Sequence, residues 1–153
     1  MPRFGRRKVS RITRKMVNIK TLNTTSLAYL GDAVYEVYVR RHVMEENASH
    51  ADILHRRAVP FVRADGQAYV IKKWMKEKDE AKTPCEGVFH LTEEEAALVR
   101  RARNRRSATK PKNADPITYK WATAFEALAG FLYLTGQEAR LDQMAASAIA
   151  EIE

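Results

Sequence analysis

Residues 27–34 read LAYLGDAV, and Asp32 is the only charged residue between Thr21 and Tyr35. On a helical wheel the neighbouring residues are apolar on almost every side, including the side on which Asp32 lies. A helix of this kind is typical of burial on two sides, by the protein core and by a partner chain. We therefore predict a buried helix over Ser26–Val43, with Asp32 in an apolar setting. One face of this helix carries Leu27, Leu30, Val34 and Val37.

A second apolar stretch also contains a single acid, because Glu126 is the only charged residue between Trp121 and Gln137. The pattern around it predicts a helix from Pro116 to Leu134. A carboxylate in so apolar a helix costs several kcal/mol unless it is paired or holds a metal ion. The two most apolar helices of the chain therefore each carry an acid that needs an explanation.

Asp32 and Glu126 together predict a shared site for a hard cation, because no Lys or Arg lies within either apolar stretch. Mg²⁺ fits such a site, since it uses few protein carboxylates and keeps waters and phosphate oxygens as its other ligands. Glu36, one turn after Asp32, is a candidate to join the site, and an ion pair with Arg40 is its alternative role. The alternative for the two acids is that backbone groups, tyrosine hydroxyls, or Arg40 and Lys120 satisfy them.

The other segments also favour helices, and no stretch shows the sustained alternation of a strand. Pro60 is predicted to begin a helix at its first position, and Thr92 with Glu95 forms a capping box. The Asp115-Pro116 pair predicts a helix start, and Gly136 predicts a helix end. We therefore predict an all-α fold with a basic loop over residues 104–114. The remaining predicted helices are Ala51–Ala58, Pro60–Lys78, the segment from Thr92 to about Arg103, and Glu138–Ile152.

The net charge of +8 is concentrated in two segments. Residues 1–20 carry eight Lys or Arg and no acid, and residues 100–113 carry seven and no acid. Such blocks bind phosphate backbones by releasing counterions. We expect residues 1–19 to be a flexible arm ahead of a domain over residues 20–153; a solvated tail and a transit peptide are the alternatives for the arm. The candidate RNA-binding residues are Arg100, Arg101, Arg103, Asn104, Arg105, Arg106, Lys110, Lys112 and Asn113.

Several function classes find no support in the sequence. Cys85 is the only cysteine, which excludes a disulfide framework within the chain and favours a reducing compartment. The four histidines lack metal-ligand spacing, and no phosphate-binding glycine motif is present. The longest apolar run, residues 127–134, is too short to span a membrane, so we expect a soluble protein without a membrane partner.

The two acidic helices resemble the ribonuclease III family. Residues 27–34 are similar to its signature, whose core reads EFLGDAV, and residues 123–128, TAFEAL, are similar to its DxFEAL segment. The match is closer to the minimal branch, Mini-ribonuclease III, which lacks a double-stranded RNA-binding domain. That branch is also matched by GDAVYEVYVR at residues 31–40 and by segments of residues 103–113. The similarity covers about residues 24–150.

The resemblance implies a helical, homodimeric endonuclease domain that cleaves double-stranded RNA with Mg²⁺, for which Mn²⁺ can substitute. Asp32 and Glu126 would be the catalytic and metal-holding residues. The products would carry 5′-phosphate and 3′-hydroxyl ends. By family analogy the substrate is a precursor of ribosomal RNA, that of the large-subunit 23S RNA. A cytoplasmic location and a ribosomal protein as an additional partner are further expectations from the resemblance.

The chain departs from the larger ribonuclease III enzymes at two positions. They carry a Glu where this sequence has Ala28 and an Asp where it has Thr123. This difference bears on the number of metal ions that the site holds. A catalytically inert, ribosome-associated RNA-binding homologue is therefore an alternative. A helical dimer that binds nucleic acids without discrimination is another.

Overall fold

The computed structural model describes residues 19, 21–46, 50–80, 87–106 and 115–153. Within these residues the secondary structure is helical, without strands, so the predicted all-α class is confirmed. In this part of the chain, no helix is long and apolar enough to cross a membrane. The helices are α1 (Thr24–Glu46), α2 (Ala51–Val62), α3 (Ala64–Asp79), α4 (Glu93–Asn104), α5 (Pro116–Leu134) and α6 (Glu138–Ile152).

Helix α5 is the centre of the fold and packs against α1, α3, α4 and α6. Its side chains are mostly small or aliphatic, and a continuous run from Ala127 to Gly130 is buried. Phe125 anchors the core, because the Tyr35 ring packs edge-on against it at 4.8 Å between centroids. The Trp74 ring also stacks on Phe125, at 6.2 Å between centroids. The most apolar helix is thus enclosed by the others, as hydrophobic burial requires.

Local sequence signals lie at the starts of α1, α4 and α5, and α1 begins at Thr24, two residues before the predicted start at Ser26. The Asn23 side chain accepts a hydrogen bond from the Ser26 backbone N–H at 2.8 Å, which caps α1. The Thr92–Glu95 capping box is confirmed, with both reciprocal hydrogen bonds present at the start of α4. Pro116 occupies the first turn of α5, as predicted.

The prediction for Pro60 is wrong. This proline lies inside α2, which continues to Val62, and the break between α2 and α3 falls at Arg63. Arg63 is extended, and its backbone N–H donates to the Val59 carbonyl at 3.0 Å, which closes the last turn of α2. Phe61 is buried, so packing keeps the helix going past a residue that ordinarily ends one.

Helix α1 has one apolar face buried within this chain and another that is open. The buried residues of the helix include Ala28, Gly31 and Tyr35, whereas Val37 is 67% exposed. The face that carries Leu27, Leu30, Val34 and Val37 is mostly open, and only Leu27 of these four residues is fully buried within this chain. This face forms an open apolar groove together with Tyr133 of α5 and Leu141 of α6. Residues 1–18 of the predicted arm lie outside the described residues.

Candidate active site

Two glycines bring α1 and α5 into backbone contact. A Cβ atom on Gly31 would lie 1.7 Å from the Glu126 carbonyl oxygen, and one on Gly130 would lie 2.0 Å from the Leu27 carbonyl oxygen. No side chain fits between these backbones, so only glycine allows the helices to approach so closely. Since Asp32 follows Gly31 directly, this contact places Asp32 close to Glu126.

Asp32 lies at the exposed rim of the site. Asp32 is exposed within this chain, although it lies at the edge of the α1 face whose Ala28 and Tyr35 are buried. The carboxyl is still partly shielded from water: burial, and then the nearby charge of Glu36, raise the pKa of Asp32 above its usual value. Asp32 therefore faces solvent but lies in an acidic neighbourhood.

Glu126 is the more enclosed of the two acids. Burial, followed by the negative charge of Asp32, raises the pKa of Glu126 to about 8, and the buried amide of Gln67 opposes part of this rise. Within the described residues, no Lys or Arg forms an ion pair with either carboxyl group. Glu126 thus lies in an enclosed setting beside a second acid, without an ion-pair partner among the described residues.

The residues considered as neutralising partners have other contacts. Arg40 Nη2 donates to Glu36 Oε1 at 2.8 Å, so the ion-pair alternative for Glu36 is realised. Lys120 lines a small cavity with Arg105, one turn before the position of Thr123.

Thr123, where larger family members carry an acid, donates its hydroxyl to the Tyr119 carbonyl at 2.9 Å. Ala28, the other altered position, is buried.

The candidate RNA-binding residues divide by their contacts. Arg100 donates to Asp79 at 2.8 Å, and the Arg103 guanidinium lies 4.8 Å from the centre of the Trp121 ring. These two contacts hold the end of α4 against α3 and α5. Arg101, Asn104, Arg105 and Arg106 are exposed, and Arg105 lies on the same small cavity as Lys120. Lys110, Lys112 and Asn113 lie outside the described residues.

A second polar cluster was missed by the sequence analysis. His42 Nε2 lies 3.1 Å from a Glu46 oxygen and 2.5 Å from a Glu153 oxygen. The three ligand-type atoms lie within 4.8 Å of one another. This cluster is ten residues beyond Asp32 on α1, about 15 Å along the helix, so it is separate from the candidate active site. Spacing could not reveal it, because Glu153 is remote in the sequence.

The donor set of the candidate active site fits a hard divalent cation. Carboxyl groups from two helices lie near each other, and repulsion by Asp32 disfavours the charged form of Glu126. A cation would relieve that repulsion, and Mg²⁺ accepts a site with few protein ligands. In the described residues, the one group of three ligating side chains is the His42 cluster, so water and substrate oxygens would have to supply the remaining ligands here.

Comparison with known proteins identifies the class to which this fold and site belong. The family model described as the ribonuclease III domain matches residues 25–137. A solved structure of a protein from Fusobacterium nucleatum superimposes with a TM-score of 0.70 and 26% sequence identity, covering 87% of this chain and 96% of the other. The helical fold is therefore that of a ribonuclease III domain.

The similar proteins narrow the class further. The Mini-ribonuclease 3 of Symbiobacterium thermophilum is 40% identical over 91% of this chain and 97% of its own length. That of Streptococcus pneumoniae is 36% identical over 90% of this chain and 99% of its own length. The chain belongs to the ribonuclease III family, in its Mini-ribonuclease 3 branch. Membership makes it an endoribonuclease, a hydrolase that acts on RNA.

Proposed function

We propose that the chain is a Mg²⁺-dependent endoribonuclease that cleaves double-stranded RNA. The observation that carries this proposal is the pairing of Asp32 with Glu126 at the Gly31–Gly130 contact. The charge of Asp32 raises the pKa of Glu126, and within the described residues no basic side chain pairs with either acid. Carboxyl groups whose ionisation is disfavoured in this way are typical of sites that bind a cation for function.

Asp32 and Glu126 would hold the Mg²⁺ ion through their carboxylate oxygens, with Mn²⁺ as a substitute. When bound, the ion supplies polarisation of the scissile phosphate and a lowered pKa for the attacking water. The chain's own part is to keep the two carboxylates close and to exclude a competing lysine or arginine. No histidine is needed as a general base. Hydrolysis of the bond to the 3′ oxygen leaves 5′-phosphate and 3′-hydroxyl ends.

The cationic segment over residues 100–113 would contact the RNA duplex. It leads from α4 into α5, which carries Glu126, so its charges are tethered to the candidate active site. The shallow minor groove of A-form RNA presents 2′-hydroxyls and phosphates to such a segment. The described side chains that support this role are exposed arginines, Arg101, Arg105 and Arg106. The N-terminal arm, residues 1–19, would add affinity by further neutralising phosphates.

A homodimer formed through the open face of α1 fits this function, because each subunit could then cut one strand. The exposed apolar side chains on that side include Tyr29, at 86% exposure, and Val37. Apolar patches of this kind mark interaction sites more often than free surface. Sedimentation at micromolar concentration should give a dimer, and Val37→Glu should convert it to a monomer. A wild-type monomer would contradict the proposal.

The substrate that we propose is a structured precursor of ribosomal RNA, that of the large-subunit 23S RNA. The support is the likeness to the Mini-ribonuclease 3 branch, with the chain matching nearly the whole length of its relatives. A ribosomal protein that presents the precursor is a further candidate partner. Ribosomal RNA maturation would place the protein in the cytoplasm.

The test is incubation of the protein with a long RNA duplex, with Mg²⁺ and with a chelator. We expect cleavage with Mg²⁺ alone, products with 5′-phosphates, and little cleavage of single-stranded RNA or of a DNA duplex. The replacement of two family acids by Ala28 and Thr123 favours one rival, an inert RNA-binding homologue. Tight RNA binding without cleavage at any Mg²⁺ concentration would support that rival. Equal affinity for DNA and RNA duplexes would support a helical dimer without RNA specificity.

A further inference from the structure

Gln67 is a buried amide beside the candidate active site. It lies in the first turn of α3, its side chain is 1% exposed, and it is close enough to Glu126 to oppose the rise in that residue's pKa. Neither its Oε1 nor its Nε2 reaches full hydrogen-bonding geometry with another group in the described residues. The sequence analysis gave no role to this position.

A buried amide without hydrogen-bond partners lowers the stability of the fold. Leaving its donor or acceptor unsatisfied costs about 1–3 kcal/mol, and buried polar groups are nearly always hydrogen-bonded for that reason. A methionine or leucine would fill the same volume without that cost. The packing of α3 against α5 therefore does not explain a glutamine, whereas a carboxylate acceptor next to it would.

We propose that Gln67 is a positioning residue, whose Nε2 donates a hydrogen bond to one oxygen of the Glu126 carboxylate and thereby turns the other oxygen toward Asp32. This inference rests on the proposed function, since it assigns Gln67 to the support of the metal-holding pair. Hydrogen bonds from the surrounding protein commonly fix the orientation of ligating side chains in this way.

A neutral amide suits this task better than a basic side chain. Lys or Arg at the same position would form an ion pair with Glu126 and compete with a metal ion for its charge. An amide orients the carboxylate and leaves its negative charge available. A role in orienting Glu126 explains why the buried side chain at position 67 is polar but uncharged. The chain has 27 Lys and Arg residues, yet the buried residue beside Glu126 is an amide.

The experiment compares Gln67→Met, which keeps the length but removes the donor, with Met75→Leu as a control. Met75 lies on the same helix and is 3% exposed, so its substitution perturbs the packing of α3 without removing a polar group. The primary readout is Mn²⁺ binding without RNA, followed by electron paramagnetic resonance. Cleavage kinetics with Mg²⁺ and thermal unfolding without added metal are measured on the same samples.

We expect Gln67→Met to weaken Mn²⁺ binding by about 10-fold or more. It should lower kcat at limiting Mg²⁺ while the KM for RNA stays unchanged, and its Tm without metal should equal or exceed that of the wild type. Met75→Leu should bind Mn²⁺ like the wild type. Gln67→Asn, which keeps the amide on a shorter stem, provides a second variant and should also bind Mn²⁺ more weakly.

Two outcomes separate the failure of this inference from that of the proposed function. If the wild type binds Mn²⁺ and both Gln67 variants match its affinity within about 2-fold, the positioning role alone is overturned. If the wild type binds no Mn²⁺, both the metal site and the role of Gln67 are overturned.

Discussion

Glu95 and Glu126 both lie among apolar side chains of one small helical domain, but their surroundings differ. Glu95, at 3% exposure, receives hydrogen bonds from Arg140 Nε at 2.9 Å and Arg140 Nη2 at 2.7 Å, and it completes the α4 capping box. Glu126 has Asp32 and an amide as its polar neighbours. One carboxylate is thus neutralised by the protein, and the other has no ion-pair partner among the described residues.

The pKa values of the two glutamates reflect this difference. Burial by itself raises the pKa of Glu95, but the Arg140 and Thr92 hydrogen bonds together with the Arg140 charge outweigh it, and the pKa is lowered. At Glu126, burial and the Asp32 charge act in the same direction, and the pKa rises to about 8. A buried carboxylate with its own arginine stabilises a fold, whereas one beside another acid suits cation binding.

The largest effect that separates the two sites should be on cleavage. We expect Asp32→Asn and Glu126→Gln each to lower kcat by about 100-fold or more, since a lost ligand removes several kcal/mol of charge stabilisation. Circular dichroism and RNA-binding affinity should remain near wild type. Glu95→Gln, as the matched control, should keep its kcat under conditions in which it is folded. Near wild-type cleavage by either acid variant in saturating Mg²⁺ would refute the assignment.

The next largest effect should be on stability, at the other glutamate. Arg140→Met leaves Glu95 buried without a counter-charge, and we expect a loss of about 3–5 kcal/mol in the free energy of unfolding. It also removes a hydrogen bond to the His90 carbonyl and the stacking of the guanidinium on Phe89. Urea denaturation measures the loss.

The double variant Glu95→Leu with Arg140→Met provides the control for that measurement. Because both charges are removed together, it should recover much of the stability lost by Arg140→Met alone. A double variant no more stable than Arg140→Met would show that packing, and not the buried charge, accounts for the loss.

The sequence could predict what depends on neighbours in the chain. Thr92 and Glu95 are three residues apart, so the capping box and the start of α4 were visible, as was the start of α5 at Pro116. The isolation of Asp32 and Glu126 in apolar stretches was visible for the same reason. Their catalytic and metal-holding roles stay predictions.

The features that the sequence could not predict depend on contacts between residues that are far apart in the chain. A helical wheel tells which residues share a face of α1, but the Gly31–Gly130 contact decides which face is buried. The partner of Glu95 is Arg140, 45 residues away, on another helix. Gln67 carries no local signal at all, because its burial depends on how α3 packs on α5.

The stability without divalent metal should also depend on pH, with opposite signs at the two glutamates. The folded-state pKa of Glu126 is about 8 against an ordinary 4.5, so its favourable contribution is complete below about pH 4.5 and is lost as the pH rises to about 8. The folded-state pKa of Glu95 is lowered, so its contribution is present above the ordinary pKa and is lost as the pH falls. Thermal unfolding in a chelator, from about pH 3 to about pH 8.5, measures both. Relative to wild type, the Tm of Glu126→Gln should rise steadily with pH, whereas that of Glu95→Gln should be lower throughout and should approach wild type only toward acidic pH. A Tm difference for Glu126→Gln that does not change with pH would show that Glu126 is already paired in the folded chain.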